Sequence, residues 1–211
     1  MALHGTYPTY ITSGVDNVIQ FTVVLSDGSH VTTNAHQHPD LFWALRGGGG
    51  GTYAVVTSAT YKTYPEFSLT MSTVVVNFSS PAVAQNVVTE FVRIHPKLLS
   101  VGWGGYSFFS NTNLQAFWVA PDTSLEAGNA AFQPFLQFVN ATGEPVQAPT
   151  FTFPSYFSWY TGLFTSGDIR QSQVGVQVEI ASRLLSKELA ESDPANLAKI
   201  MLSIEGGVAA K

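Results

Sequence analysis

The chain has no cysteine, so it can form no disulfide, offers no thiol nucleophile and cannot build a thiolate metal site. Charge is scarce as well: Asp, Glu, Lys and Arg make up 11% of 211 residues, too little for a disordered acidic tail or a coiled coil. Cations are the scarcer sign, 9 Lys and Arg against 14 Asp and Glu for a net charge of −5. They form no cluster, and phosphate neutralisation needs a basic stripe, so nucleic acid is excluded as a partner. No uninterrupted apolar run reaches the ~18 residues that a membrane span requires, which sets membranes aside too. Residues 1–20 lack the basic start and apolar stretch of a signal peptide. There is no internal repeat.

Apolar residues are plentiful, 45% of the chain with 13% aromatic, the composition of one large globular domain or of one domain and part of another. The most informative stretch is Asp40-Leu41-Phe42-Trp43-Ala44-Leu45-Arg46 followed by five glycines, Gly47 to Gly51. Backbone that bare either turns sharply or lies against something that needs close approach. A plain flexible connection is the simpler reading, but five glycines in place of alanines cost roughly 4 kcal/mol of chain entropy. Thr52-Tyr53-Ala54-Val55-Val56-Thr57-Ser58-Ala59-Thr60-Tyr61 then reads as a buried strand, rich in β-branched and aromatic types. A helix, a glycine loop and a strand in that order can turn backbone N–H groups and carbonyls toward a ligand.

Around this core, 18–25 and 30–33 read as a hairpin joined by Ser26-Asp27-Gly28-Ser29. Pro39 in the first turn and Asp40 near the positive dipole end start a short helix that stops at Arg46 and Gly47. The character changes near Tyr64-Pro65-Glu66. Beyond it the pattern predicts a strand over 68–76 and a helix from Pro81 to about Ile94. Strands over 103–109 and 114–119 follow, then a helix over 123–139 with Leu125, Phe132, Leu136 and Val139 on one face. Residues 144–164 are not assigned; 175–181 reads as a strand and 194–204 as a helix. The fold class is therefore α+β, an antiparallel sheet with helices on one face.

Several chemistries can be weighed. The glycines are no P-loop, because no Gly-Lys-Ser/Thr follows, and no Rossmann fingerprint, because they lead from helix to strand. There is no G-x-S-x-G nucleophile elbow. His36 and His38 would share a face of an extended segment and, with His30, invite a metal; no acidic residue completes the set, and surface histidines beside a helix start are the plainer reading. Glu179 and Arg183 either enter a pocket or, as the alternation favours, face solvent. Tyr156 and Tyr160 are candidate phenolic acids or bases, set among Phe151, Phe153, Phe157 and Trp159, where ordinary aromatic packing is the first reading. Asn77-Phe78-Ser79 and Asn140-Ala141-Thr142 are N-glycosylation sequons, which points to a secreted or extracellular glycoprotein.

The stretch from Gly14-Val15-Asp16-Asn17-Val18 through Asp40 to Tyr53 and on to Val55-Val56-Thr57 resembles the FAD-linked oxidoreductases of the berberine bridge enzyme-like family, which belong to the vanillyl-alcohol-oxidase-type flavoproteins. The match is specific over about fifty residues; the remainder, including Ser182-Arg183-Leu184-Leu185, is similar to the family's substrate domain at lower specificity. The resemblance implies that residues 1–66 are the second subdomain of a PCMH-type FAD-binding domain and 67–211 part of the substrate-binding domain. It implies FAD as cofactor, with His4, Gly5, Gly48, Gly49, Gly50, Gly51, Thr52, Tyr53, Val55 and Val56 beside it. It also implies oxidation of a small molecule (a sugar, an aromatic alcohol or an alkaloid) by hydride transfer to the flavin while a base removes a proton.

Two departures stand out. The family commonly has glycine where this chain has Ala54, and His4-Gly5 is similar to the tail of a G-G-G-H-G segment. On that reading the first FAD subdomain, the flavin-linking histidine and the family's C-terminal segment lie outside the chain, truncated at both ends. Cofactor binding would then draw on an N-terminal FAD subdomain, no residue can be given the role of catalytic base, and stand-alone activity is doubtful. Two alternatives stay open. One is a non-catalytic module in which Trp103, Tyr106, Trp118, Tyr156, Trp159 and Tyr160 stack a sugar or aromatic ligand. The other is an inactive gene fragment with exposed apolar surface.

Overall fold

The computed structural model describes residues 14–49, 51–164, 184–204 and 208–210. They fall into two compact units whose boundary in sequence lies between Pro65 and Glu66. No helix among the described residues is long and apolar enough to cross a membrane.

The first unit opens with a 3-10 turn at Gly14–Asn17, followed by β1 (Val18–Val24), β2 (His30–Asn34), α1 (Pro39–Leu45) and β3 (Val55–Tyr61). The strands form an antiparallel sheet in the order β2-β1-β3. The hairpin closes where the Asp27 carboxylate accepts the Ser29 N–H at 2.8 Å and Gly28 takes a φ of 83°, a conformation that favours glycine. Helix α1 drops Phe42 onto Val18, Phe21 and Val23, and the Phe21 and Phe42 rings meet at 6.0 Å. Val18 and Phe21 share a face despite their odd spacing because a register shift against β3 falls between Val18 and Gln20.

One expectation is overturned in this unit. Strand β3 was read as buried, and all seven of its residues are exposed. Among the described residues it is an edge strand paired only with β1, and α1 covers the β1 and β2 side of the sheet rather than β3.

The second unit contains β4 (Leu69–Asn77), α2 (Pro81–Ser100), β5 (Gly104–Phe109), β6 (Asn113–Pro121) and α3 (Leu125–Ala141). These are followed by β7 (Val146–Gln147), β8 (Thr150–Phe153), α4 (Tyr156–Phe164), α5 (Lys187–Ser192), α6 (Pro194–Leu202) and β9 (Val208–Ala210). Every strand pair is antiparallel; β4 lies between β6 on one side and β7 and β8 on the other, and β5 joins β6 to β9. The side-chain period of two sorts the faces. Val74, Val76, Leu114, Ala116, Trp118 and Ala120 bury against α2, α3 and α6. Residues of the other parity, Leu69, Met71 and Val119, meet Trp159 of α4, whose indole N–H points at the Met71 sulfur at 3.2 Å. The sheet thus carries its main helical layer on one face, and α4 adds a partial cover to the other.

Two helices differ from their sequence reading. Helix α2 starts as expected, with Ser80 accepting the Val83 N–H and Pro81 in the first turn, but it runs past Ile94 and through Pro96 to Ser100. Proline removes one helical donor and disfavours the turn before it; here Pro96 and Leu98 are both buried, and that packing carries the helix on. In α3 the buried stripe is Gly128, Phe132, Phe135 and Val139. Leu125 and Leu136 stand roughly 50–70° around the helix from its centre at 3.6 residues per turn, so Leu125 is exposed and Leu136 only partly buried. Gly128 permits close approach: a Cβ there would sit 2.8 Å from Thr70 Cγ2 and 3.1 Å from Thr150 Cγ2. The stretch left unassigned over 144–164 forms β7, β8 and α4, and the strand expected over 175–181 lies outside the described residues.

Candidate functional site

The end of α1 is closed by backbone hydrogen bonds from the Arg46 N–H to the Trp43 carbonyl at 3.2 Å and from the Gly48 N–H to the Ala44 carbonyl at 3.1 Å. The loop beyond it requires glycine. Gly47, Gly49 and Gly51 have φ of 123°, 94° and 71°. A Cβ at Gly48 would lie 2.3 Å from the Ala44 carbonyl oxygen and 2.6 Å from the Tyr53 ring. Thr52 ties the loop to itself, its hydroxyl donating to the Gly48 and Gly49 carbonyls at 3.0 and 2.9 Å. Gly47, Gly48, Gly49 and Gly51 therefore hold defined conformations, with the Tyr53 ring against Gly48, rather than forming a slack connection.

Gly48, Gly49, Gly51, Thr52, Tyr53, Val55 and Val56 are all exposed, and Trp43 of the preceding helix stands out at 75%. Ala54 turns the other way, onto the small core of Phe21 and Phe42. Its methyl group therefore packs inward and does not crowd the exposed residues. Of the residues assigned to cofactor contact from the sequence, these seven are all exposed on one loop and the strand after it, with Val55 and Val56 on opposite faces of that strand, while His4, Gly5 and Gly50 lie outside the described residues.

At the root of the loop the Arg46 guanidinium lies over the Phe42 ring, 4.4 Å from its centroid. Its Nε is buried and has no hydrogen-bond partner. Both ion pairs among the described residues, Arg93 with Glu90 and Lys187 with Glu191, lie elsewhere. The sequence reading treated Arg46 only as a helix-end cation; the signal for more was its position directly before the glycines.

The other candidates disperse. His30, His36 and His38 are exposed. His38 has a φ of 45° at the N-terminus of α1, so the segment is not extended, and the described residues contain no cluster able to hold a metal. Trp103, Trp118 and Trp159 are each 1% exposed. They are core residues, which removes half of the aromatic set proposed to stack a ligand. Tyr156 and Tyr160 are partly exposed and near parallel at 6.4 Å; burial, then the neighbouring Tyr160, raises the Tyr156 pKa, the wrong direction for a base near neutral pH. Glu179, Arg183 and the Ser182 segment lie outside the described residues.

One titratable group was missed from the sequence. His95, on α2, packs edge-on against Trp118 at 4.4 Å and Phe91 at 5.3 Å, and burial lowers its pKa to about 4. Its place one turn after Phe91 was the available signal.

No family model matches the chain. An FAD-linked oxidoreductase of Gibberella fujikuroi is 32% identical, over 98% of this chain and 38% of the relative. An uncharacterised FAD-linked oxidoreductase of Arthroderma benhamiae is 28% identical, over 89% of this chain and 33% of the relative. Among solved structures, a VAO-type flavoprotein of Myceliophthora thermophila superposes with a TM-score of 0.61 at 28% identity, over 71% of this chain and 28% of that one. The chain thus spans about a third of the length of these curated relatives.

Proposed function

We propose that this chain, a homologue of the VAO-type FAD-linked oxidoreductases, forms one wall of an FAD site and contributes to oxidation of a small molecule. The observation that carries this reading is the exposure of Gly48, Gly49, Thr52, Tyr53, Val55 and Val56 on one loop and the strand after it. A strand with the composition of a buried one lies open, next to a loop whose glycines admit close approach of a planar group to the backbone. Apolar surface of that kind, rimmed by backbone polar groups, is what a flavin cofactor covers. FAD, when bound, supplies the hydride-accepting ring; the protein supplies binding, orientation and electrostatics. In this unit Thr52 holds the loop shape and Tyr53 packs against it, while Val55 and Val56 offer apolar contact.

The sheet face opposite α2 and α3 supports a substrate in the sugar, aromatic alcohol or alkaloid class. Tyr106, Phe108, Phe117 and Phe151 share its parity, and β4, β5, β6 and β8 place no charged residue there. Uncharged rings can stack a sugar or an aromatic system. The sequon residues Asn77 and Asn140 are both exposed, which supports a secreted glycoprotein; a glycosidase-sensitive mass on protein from its source would test that point.

The test of the FAD reading is direct. Purified chain is mixed with FAD, desalted, and its visible spectrum recorded. Retained flavin absorbance at a fixed ratio to protein is the expected result, and a colourless protein refutes FAD binding by this chain.

A further inference from the structure

We propose that Arg46 binds the anionic pyrophosphate of FAD, so that the glycine loop receives the diphosphate and adenylate half of the cofactor rather than its ring. This inference rests on the FAD reading above and deepens it.

The argument starts from an unmet donor. The Arg46 Nε is buried without a partner, and a buried N–H left unsatisfied is unfavourable. The Phe42 ring under the guanidinium offsets part of its charge desolvation. The Nε–H itself has no acceptor, so that donor still needs an oxygen. Among the described residues no carboxylate pairs with Arg46. A planar, permanently charged fork without a carboxylate is a receptor for a phosphate oxygen.

The loop beside it leaves room for such a group. Gly47 and Gly49 hold positive φ, and backbone bare of side chains next to Arg46 admits close approach of a phosphate. The carbonyls at the end of α1 would repel an anion, but those of Trp43 and Ala44 already accept the Arg46 and Gly48 N–H groups. The isoalloxazine ring is neutral, whereas the pyrophosphate carries about two negative charges near pH 7, so an unpaired arginine selects the second.

The experiment measures affinity of the full chain for FAD, ADP and riboflavin by titration calorimetry, for wild type, Arg46→Gln and Arg46→Lys. Riboflavin carries the ring without phosphate, and ADP the diphosphate without the ring. Arg46→Gln is expected to weaken FAD and ADP about tenfold or more and to leave riboflavin unchanged, with Arg46→Lys in between. Wild-type FAD affinity should fall as salt rises. An Arg46→Gln chain that binds FAD as tightly as wild type overturns the role of Arg46 and leaves the FAD reading standing. A wild-type chain that binds no flavin at all overturns both. Should Arg46→Gln fail to fold, the wild type alone decides: ADP that competes with FAD supports the assignment, and ADP that does not compete refutes it.

Discussion

Acidification tests the packing of the second unit at a single side chain. His95 projects from α2 into the aromatic cluster, edge-on to Trp118 at 4.4 Å and to Phe91 at 5.3 Å. Trp118 is itself anchored by its indole N–H donating to the Ser107 hydroxyl at 2.9 Å. Neither ion pair among the described residues reaches His95, so nothing offsets desolvation, and its pKa falls from 6.5 to about 4. The folded state therefore resists a proton that the unfolded chain accepts. Above pH 6.5 both states are neutral and the group contributes no pH dependence. Between 6.5 and 4 the unfolded state gains protons first, and stability falls by about 1.4 kcal/mol per pH unit. Below 4 both states are protonated and the loss levels off, near 3 kcal/mol in total. Urea unfolding followed by tryptophan fluorescence, from pH 7.5 to 3.5, reads this in wild type and in His95→Phe. Carboxylate titration is common to both proteins, so the difference between them isolates the histidine. Any packing cost of the six-membered ring shifts the variant's curve without tilting it. His95→Phe should gain about 2–3 kcal/mol on wild type between pH 7 and pH 4. A difference that stays flat with pH would refute the burial argument.

Gly48→Ala places a methyl 2.3 Å from a backbone oxygen that already caps α1; a cost of about 2–3 kcal/mol to the first unit should appear as faster amide exchange across 43–56, and unchanged exchange would count against it. Gly105→Ala puts a Cβ 2.1 Å from the Phe117 carbonyl oxygen inside the β5–β6 pair, and a thermal midpoint equal to wild type's would show that the strands are not so close; the expected cost is about 3 kcal/mol. Trp159→Ala should cost about 3–5 kcal/mol by uncovering Leu69, Met71 and Val119, read as binding of a hydrophobic dye at native pH. Glu144→Gln weakens the bonds that its carboxylate accepts from the Ser79 N–H and hydroxyl, and chemical denaturation should show a loss of about 1–3 kcal/mol.

What the sequence discloses about the fold follows from local rules. The hairpin around Asp27-Gly28, the start of α2 at Ser80-Pro81 and the strands β4 to β6 each rest on turn chemistry or on a period that acts within ten residues. The misses share another cause, competition between a local signal and distant packing. The helical pattern of α2 reads as ending near Ile94, yet the burial of Pro96 and Leu98 carries the helix on to Ser100. The stripe of α3 reads as Leu125 to Val139, yet the contact is set where Gly128 lets the helix approach Thr70 and Thr150. Short strands such as β7 have too few residues to show a period at all.

The candidate site divides along the same line. That Gly48 to Val56 form a unit was legible, because glycine, β-branched residues and a preceding helix have few joint explanations. That β3 is exposed was not, since composition records which residues avoid water and not what covers them. Val55 and Val56 avoid water by type and meet it in fact, while Ala54 just before them packs inward. Arg46 shows the complementary mismatch, a buried donor with no acceptor. Apolar surface without cover and a polar atom without a partner, a few residues apart, are each unfavourable in an isolated unit. One ligand with a flat apolar part and an anionic part relieves both, and a flexible linker explanation relieves neither.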